Sequence, residues 1–517
     1  MHGVVRGLFH SPRRSGLGDL LLAAVFGGAQ ALSIANPWNG QPLWWLQLLS
    51  MAGLYWLVER AASPRRAALL GGLFAWAWLG GTFWWLFISM HTYGGLPAVL
   101  AVLAVAGLAA ALALVYALAC GCFKALAPTN RAWRAIVFAF SWLLAELARG
   151  QWLTGFPWGA GGYAQLDGLA LLAPYVGVYG VGWVASLVAA CAVLRQWRVL
   201  ALVALLVATA DSVVQPPNDP AASLPVTLLQ GNIPQDEKFE LGAGVPVALQ
   251  WYGEQLAQAK TPLVVAPETA IPMLPQQLPA GYWAGLLQRF ASGEQTALVG
   301  VPLGNAKEGY LNAVVGLQPG RPQPYEYAKH HLVPFGEFIP PLFRWFTEMM
   351  HIPLGDFNRG AVGQPSLVVA GQRLAPNICY EDLFGEELGA RFIDPARAPT
   401  IFVNISNIGW FGDSLAIDQH LAISRMRSLE FERPMLRATN TGATAIIDHR
   451  GRVVQALPRL TRDVLVGEVQ GRGLNATSGW RITPYAWWVA RMGLWPLWGL
   501  GLLAWALAWM GARHQRR

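Results

Sequence analysis

Eight apolar stretches, most of them close to twenty residues long, restrict this chain more than any other feature. They lie at 17–35, 43–58, 67–88, 96–123, 132–147, 169–194, 199–214 and 486–510. A bilayer core takes ~20 consecutive apolar residues per helix, and seven of these stretches precede a segment of ordinary globular composition while one follows it. Hydrophobic residues reach 54% and charged residues only 13%, too little charge for a soluble fold of this length to cover its apolar surface. The reading is therefore a membrane protein with a water-soluble insert. It comprises a seven-helix transmembrane domain over 1–214, a Pro- and Asp-rich linker at 215–223, a globular domain at 224–472 and a last transmembrane helix at 486–511.

Basic residues orient the helices. Arg6, Arg13 and Arg14 precede the first stretch and Arg60, Arg65 and Arg66 follow the second; Lys124, Arg131 and Arg134 follow the fourth, Arg195 and Arg198 the sixth, and Arg513, Arg516 and Arg517 the eighth. The alternate loops are nearly uncharged. Cytoplasmic loops carry the excess of Lys and Arg, so both termini are expected in the cytoplasm and the insert outside it, in a periplasm-like space. A cleaved signal peptide over the first stretch would keep this orientation and remove one helix. The net charge of +8 then reports topology, and no clustered basic face points to nucleic acid. Three of the four cysteines, Cys120, Cys122 and Cys191, sit inside apolar stretches, which excludes a disulfide framework for the insert.

Within the insert, short runs rich in β-branched residues (VTLLQGN, PLVVAPE, TALVGVP, LNAVVGL, RLAPNICYE, TIFVNISN, ATAIIDHRG, DVLVGEV) alternate with helical segments at 245–259, 282–291 and 416–431. That alternation predicts an α/β layer fold. Functional side chains gather where such strands end, and three ionisable residues stand there: Glu268 after LVVAP, Lys329 opening KHHLVPFGEF, and Cys379 after RLAPNI. Each has an ordinary alternative, as a helix cap, a solvated charge and a buried filler respectively. Together a thiol, a carboxylate and an ammonium form a coherent set for nucleophilic acyl chemistry. The adjacent His330 and His331 point apart on an extended strand and have no accompanying cluster of ligands, so no metal is expected.

These residues and their flanks carry a resemblance. Glu268, Lys329 and Cys379 match, in chain order, the triad of the nitrilase (carbon–nitrogen hydrolase) superfamily, which implies an αββα sandwich. GNIPQDEKF (231–239), APETAIP (266–272), KHHLVPFGEF (329–338), NICYED (377–382), SNIGWFGDS (406–414) and RMRSLEFERP (425–434), set between the apolar stretches, resemble the apolipoprotein N-acyltransferase family. Ile408 stands where that family commonly has Asp, and Phe239 where Trp is often found. The resemblance implies acyl transfer from a phospholipid, expected to be phosphatidylethanolamine, to the α-amino group of a diacylglyceryl-cysteine at an apolipoprotein N-terminus, at the periplasmic side of a bacterial inner membrane and without a cofactor. Cys379 would be the nucleophile, and Glu268 the general base, best served by a pKa raised on burial. Lys329 would stabilise the oxyanion with the backbone N–H of Tyr380. Glu337, Tyr380 and Glu381 would support the triad, while Trp410 and Phe411, as a mobile apolar lip, and Phe239 would meet the substrate.

Two other readings compete. A membrane-anchored amidase would need one helix, not eight. A transporter would carry ionisable residues at mid-membrane, whereas Glu146 and Asp211 fall near the ends of their stretches.

Overall fold

The computed structural model describes residues 16–213, 223–339, 357–473 and 482–516; of the expected linker, 215–222 lies outside them. Helices Leu17–Ile34, Trp44–Arg60, Pro64–Phe83, Ala98–Leu126, Arg131–Gln151, Ala173–Val193 and Trp197–Val213 occupy the seven N-terminal apolar stretches. Local chemistry sets their starts. The Ser63 hydroxyl accepts from the backbone N–H of Arg66 with Pro64 at the first helical position, and the Asn130 side chain accepts from the N–H of Trp133. Both are the residue types that satisfy the free N–H groups of a first turn.

Not all of these helices are long and apolar enough to cross a bilayer unaided. Among the described residues four are: Leu17–Ile34, Ala98–Leu126, Leu169–Val193 and Trp495–His514. Pro64–Phe83 and Leu86–Tyr93 qualify only as a pair, bent by 59°. The departures from the expected eight have chemical causes. Arg131–Gln151 turns Glu146 and Arg149 into the protein interior, where Arg149 donates to the Tyr116 hydroxyl at 2.8 Å and to the carbonyls of Phe156 and Trp158. The expected single helix at 486–510 breaks at Gly493, whose φ of 53° ends Pro484–Met492 before Trp495–Arg516 begins.

The globular part is a pair of six-stranded mixed sheets. The first runs β12-β1-β2-β3-β4-β5, with β1 (Ser223–Gln230), β2 (Leu263–Val265), β3 (Thr296–Asn305), β4 (Gly309–Gln318), β5 (Arg321–Ala328) and β12 (Asp463–Gln470). The second runs β11-β10-β9-β8-β7-β6, with β6 (Leu367–Val369), β7 (Gln372–Ile378), β8 (Ile401–Ser406), β9 (Met435–Thr439), β10 (Ala445–Ile447) and β11 (Val453–Ala456). In each sheet three central strands are parallel, β1–β2–β3 and β7–β8–β9, and the flanking pairs are antiparallel.

Val226, Leu228, Val265, Leu298, Ile378, Val403, Ile405 and Leu436 meet between the sheets. The central strands are thus buried on both faces and read as continuous apolar runs rather than alternating ones. Helices Gly244–Gln258 and Tyr282–Ser292 cover the outer face of the first sheet. Helix Ala416–Phe431 covers the second, and its far side belongs to the same hydrophobic core as the apolar helices. One helical layer of the sandwich is therefore shared with the membrane half, which fixes the sheet ends against it.

Candidate active site

Three loops build the site, each leaving the C-terminal end of a strand. Glu268 follows β2, Lys329 follows β5 directly and Cys379 follows β7 directly. The Glu268 loop crosses β3 at Gly300. A Cβ there would lie 2.3 Å from the Pro267 carbonyl oxygen and 2.7 Å from the Glu268 Cα, so only glycine admits this approach. Thr269 next to Glu268 and Cys379 itself hold positive φ values of 51° and 50°. Left-handed backbone costs a non-glycine residue on the order of 1–3 kcal/mol and persists only where surrounding structure enforces it.

The side chains close a small ring of charge. Lys329 Nζ lies 3.3 Å from Glu268 Oε1 and 2.9 Å from Glu337 Oε1. Asn312 Nδ2 bridges the same two oxygens, donating at 2.7 and 2.6 Å. The second Glu268 oxygen accepts from the backbone N–H of Asn407 at 2.8 Å, and Lys238 Nζ donates to the Glu268 carbonyl at 3.1 Å. All these side chains are buried, Lys329 almost completely at 1% exposure.

Electrostatics assigns their resting states. Burial acts to lower the pKa of Lys329, but Glu268 and Glu337 more than offset it, and the ammonium is held charged. Burial acts to raise that of Glu268, yet Lys329, Asn312, Lys238 and the Asn407 N–H bring the carboxyl below its ordinary range. This corrects the expectation of a carboxylate raised by burial: paired donors win over desolvation. The Cys379 thiol is pushed far up, by burial first and by Glu268 second, with Lys329 opposing only in part. Lys238, buried beside Glu268, is lowered to about 8. The resting site is thus a neutral thiol facing an ionised carboxylate and a captive ammonium.

Residues 27–191 match the family model described as apolipoprotein N-acyltransferase N-terminal domain, and residues 226–477 match carbon-nitrogen hydrolase. An apolipoprotein N-acyltransferase of Verminephrobacter eiseniae (strain EF01-2) is 63% identical over 91% of this chain and 92% of its own length. Those of Ralstonia nicotianae and Nitrosomonas europaea are 46% and 38% identical, covering 87% and 96% of this chain and 87% and 98% of theirs. The chain belongs to the apolipoprotein N-acyltransferase family. Apolar helices and a nitrilase-like domain share one chain, an integral membrane protein.

The geometry brings Glu268, Lys329 and Glu337 into contact, sets the Cys379 thiol within their electrostatic reach and gives the remaining candidates distinct places. Glu381 reaches back to the ends of two strands. Its Oε2 accepts from the Ile378 N–H at 2.7 Å and the Tyr327 hydroxyl at 2.8 Å, and its Oε1 from the His330 N–H at 2.6 Å. It therefore ties the Cys379 turn to the Lys329 loop. Tyr380 points toward the membrane half, donating to the Gly155 carbonyl at 3.1 Å with its ring stacked on Phe156. The glycine-rich loop after helix Arg131–Gln151 thus touches the Cys379 turn.

Phe411 is seated between Trp85 and Trp158, with centroids 4.3 and 6.5 Å away, as a joint between the two halves. Trp410, half-exposed, meets Tyr93 edge-on at 5.9 Å. Phe239 is exposed, beside Lys238. Sequence reasoning passed over Asn312, Lys238 and Asn407. Asn312 is a single amide within an apolar strand run, and Lys238 was visible only as one residue of GNIPQDEKF. The burial of a lysine among apolar neighbours is settled by tertiary packing.

Proposed function

We propose that this protein moves an acyl chain from a phospholipid to the α-amino group of an N-terminal diacylglyceryl-cysteine, through a thioester on Cys379. The observation that supports this most is the buried Glu268–Lys329–Glu337–Asn312 ring beside a strained cysteine whose next residue, Tyr380, contacts a membrane-half loop. The resting states dictate the order of events. A thiol with a raised pKa beside a carboxylate with a lowered one keeps its proton, so no thiolate is stored. Proton transfer to Glu268 becomes favourable only as the ester carbonyl of the phospholipid approaches and negative charge builds on its oxygen next to Lys329.

In the first half-reaction Sγ bonds to the ester carbon and Glu268 takes the thiol proton. Lys329 Nζ and the Tyr380 N–H stabilise the oxyanion, and the lyso-lipid leaves with the proton returned by Glu268. In the second, the acceptor amine attacks the thioester, Glu268 takes its proton, and the thiol is regenerated as the amide forms. Glu337 and Asn312 hold Lys329 and Glu268 in register throughout. Apolar loops against the membrane keep water from the thioester, so that the amine and not water discharges it.

The same reading extends to topology. Eight membrane-crossing segments, with Pro64–Tyr93 and Pro484–Arg516 as broken spans, would place both termini in the cytoplasm. The nitrilase-like domain at 224–472 would then lie on the periplasmic face of the inner membrane, where phosphatidylethanolamine serves as donor. A cysteine introduced at the exposed Lys307 of intact cells' protein should react with a maleimide that cannot cross the inner membrane. Protection of that cysteine until the membrane is lysed would refute the orientation. For the chemistry, purified protein given phospholipid and a diacylglyceryl peptide should release lyso-lipid and acylated peptide in equal amounts. Release of free fatty acid instead would assign a lipid hydrolase.

A further inference from the structure

Hydrogen-bonded to the Cys379 carbonyl lies a second buried polar cluster that the acyl-transfer steps do not use. Its members come from three elements of the second sheet layer: Asn404 on β8, His420 and Ser424 on helix Ala416–Phe431, and Arg437 on β9. With Asp382 they are completely buried. His420 Nε2 lies 3.2 Å from the carbonyl oxygen of Cys379 and 3.0 Å from Asp382 Oδ1. Asn404 Nδ2 donates to the same carbonyl oxygen at 3.2 Å and to Asn377 Oδ1 at 2.7 Å. Arg437 Nη2 lies 2.7 Å from His420 Nδ1, while its Nη1 donates to Ser424 Oγ at 2.6 Å and lies 3.6 Å from Asp382 Oδ2.

The tautomer follows from donor and acceptor chemistry alone. A guanidinium carries donors and no acceptor, so His420 Nδ1 must accept from Arg437. The imidazole is therefore neutral, with its proton on Nε2, directed at the Cys379 carbonyl and Asp382. His420 has no free lone pair with which to take a proton from substrate, and its partners are the Cys379 carbonyl, Asp382 and Arg437.

We propose that Arg437, His420 and Asn404 are positioning residues that aim and strengthen the Tyr380 N–H by clamping the carbonyl of the same peptide unit. The peptide is planar and trans, so its C=O and N–H point in opposite directions. Fixing the oxygen on two side-chain donors under the sheet end turns the N–H to the other side. Those two bonds also account for how Cys379 keeps its φ of 50°. Hydrogen bonds accepted by a peptide carbonyl polarise it and make its N–H a better donor. The chain Arg437 to His420 to Cys379 carbonyl thus directs positive potential toward the oxyanion. Trp158, stacked on His420 at 5.5 Å, holds the imidazole from the membrane side.

This inference rests on the acyl-transfer reading above, and its test separates the two. The acyl-enzyme is prepared from phospholipid carrying a 13C-labelled ester carbonyl, and its thioester stretch is recorded by infrared difference spectroscopy in wild type and His420→Ala. Mass spectrometry of the same samples counts acyl groups on Cys379. The expected result is a lower carbonyl frequency in wild type than in His420→Ala, with acyl transfer slowed up to the ~10²–10³-fold that one oxyanion donor supplies. His420→Gln, whose amide can still donate, is expected to recover part of both. Where His420→Ala does not fold, Asn404→Ser removes the other donor to the same oxygen and should move the same band. An unchanged frequency in an acylated variant that is nonetheless slow would overturn the proposal and leave these residues purely structural. No acyl group on wild-type Cys379 would instead overturn the acyl-transfer reading itself.

Discussion

Lys329 is the residue on which the site's electrostatics turns, because among the described residues it is the cation that touches both buried carboxylates. Replacing it with methionine is expected to lower acyl transfer by ~10²–10³-fold. The same change leaves Glu268 and Glu337 facing each other uncompensated, a situation that costs on the order of 3–5 kcal/mol in buried pairs. Adding Glu337→Gln should recover much of that stability in a thermal melt and none of the activity, which distinguishes the two roles. His331 gives a pH dependence of definite sign. Burial, with Arg359 second, lowers its pKa to about 4, so the folded state binds fewer protons there than the unfolded chain does. The stability tied to its neutral form is complete above its ordinary value of ~6.5 and is lost as pH falls toward 4. Wild type should therefore lose melting temperature relative to His331→Phe between pH 7 and pH 4.5; parallel curves would contradict the assignment. The convergence of Glu268, Lys329 and Cys379 was legible at this scale because each stands at a strand end inside a short motif. The residues that set their charge states, Asn312 and Lys238, were not, since nothing local marks an amide or a lysine as sealed beneath a carboxylate.

Elements carry the site through close backbone approach. Gly300 on β3 leaves room for the Glu268 loop, and Gly300→Ala should displace that loop. The expected outcome is a protein that keeps its sheet signature by circular dichroism but loses most of its acyl transfer; full activity would show that the loop can shift without consequence. Strand positions such as LVVAP, RLAPNI and IFVNIS were readable as apolar runs, because central parallel strands are buried on both faces. The order β12-β1-β2-β3-β4-β5 was not, since the pairing of the first strand with the last is a choice among non-local contacts. The helices show the converse. Hydropathy placed a helix on each of the eight apolar stretches, of which four are long and apolar enough by themselves to cross a bilayer, but it smoothed over the bend after Phe83 and the break at Gly493, and it did not register that Glu146 and Arg149 point inward.

At the scale of the whole molecule, the catalytic sandwich and the apolar helices are joined by specific polar contacts within a shared core. Gln419 on the covering helix accepts from the indole N–H of Trp85 at 3.0 Å and of Trp158 at 2.7 Å, and donates to the Thr82 carbonyl. The Val178 N–H donates to Glu430 at 2.6 Å. Gln419→Leu would strand two buried indole donors at about 1–3 kcal/mol each. It is expected to lower the melting temperature in detergent and to reduce activity, since it loosens the joint that holds Trp85 and Trp158, and with them Phe411, against the covering helix. This joint explains why the membrane half is more than an anchor: Tyr380, next to Cys379, is fixed by Gly155 and Phe156 of that half. The central claim is that one sulfur carries the acyl chain between two lipids. Its most direct measurement is peptide mass spectrometry of wild type and Cys379→Ala after exposure to phospholipid without acceptor. The account predicts a single acyl group on the wild-type peptide containing Cys379, labile to hydroxylamine and discharged by a diacylglyceryl peptide, and none on the variant. An acyl group on any other residue, or normal acyl transfer by Cys379→Ala, would contradict it.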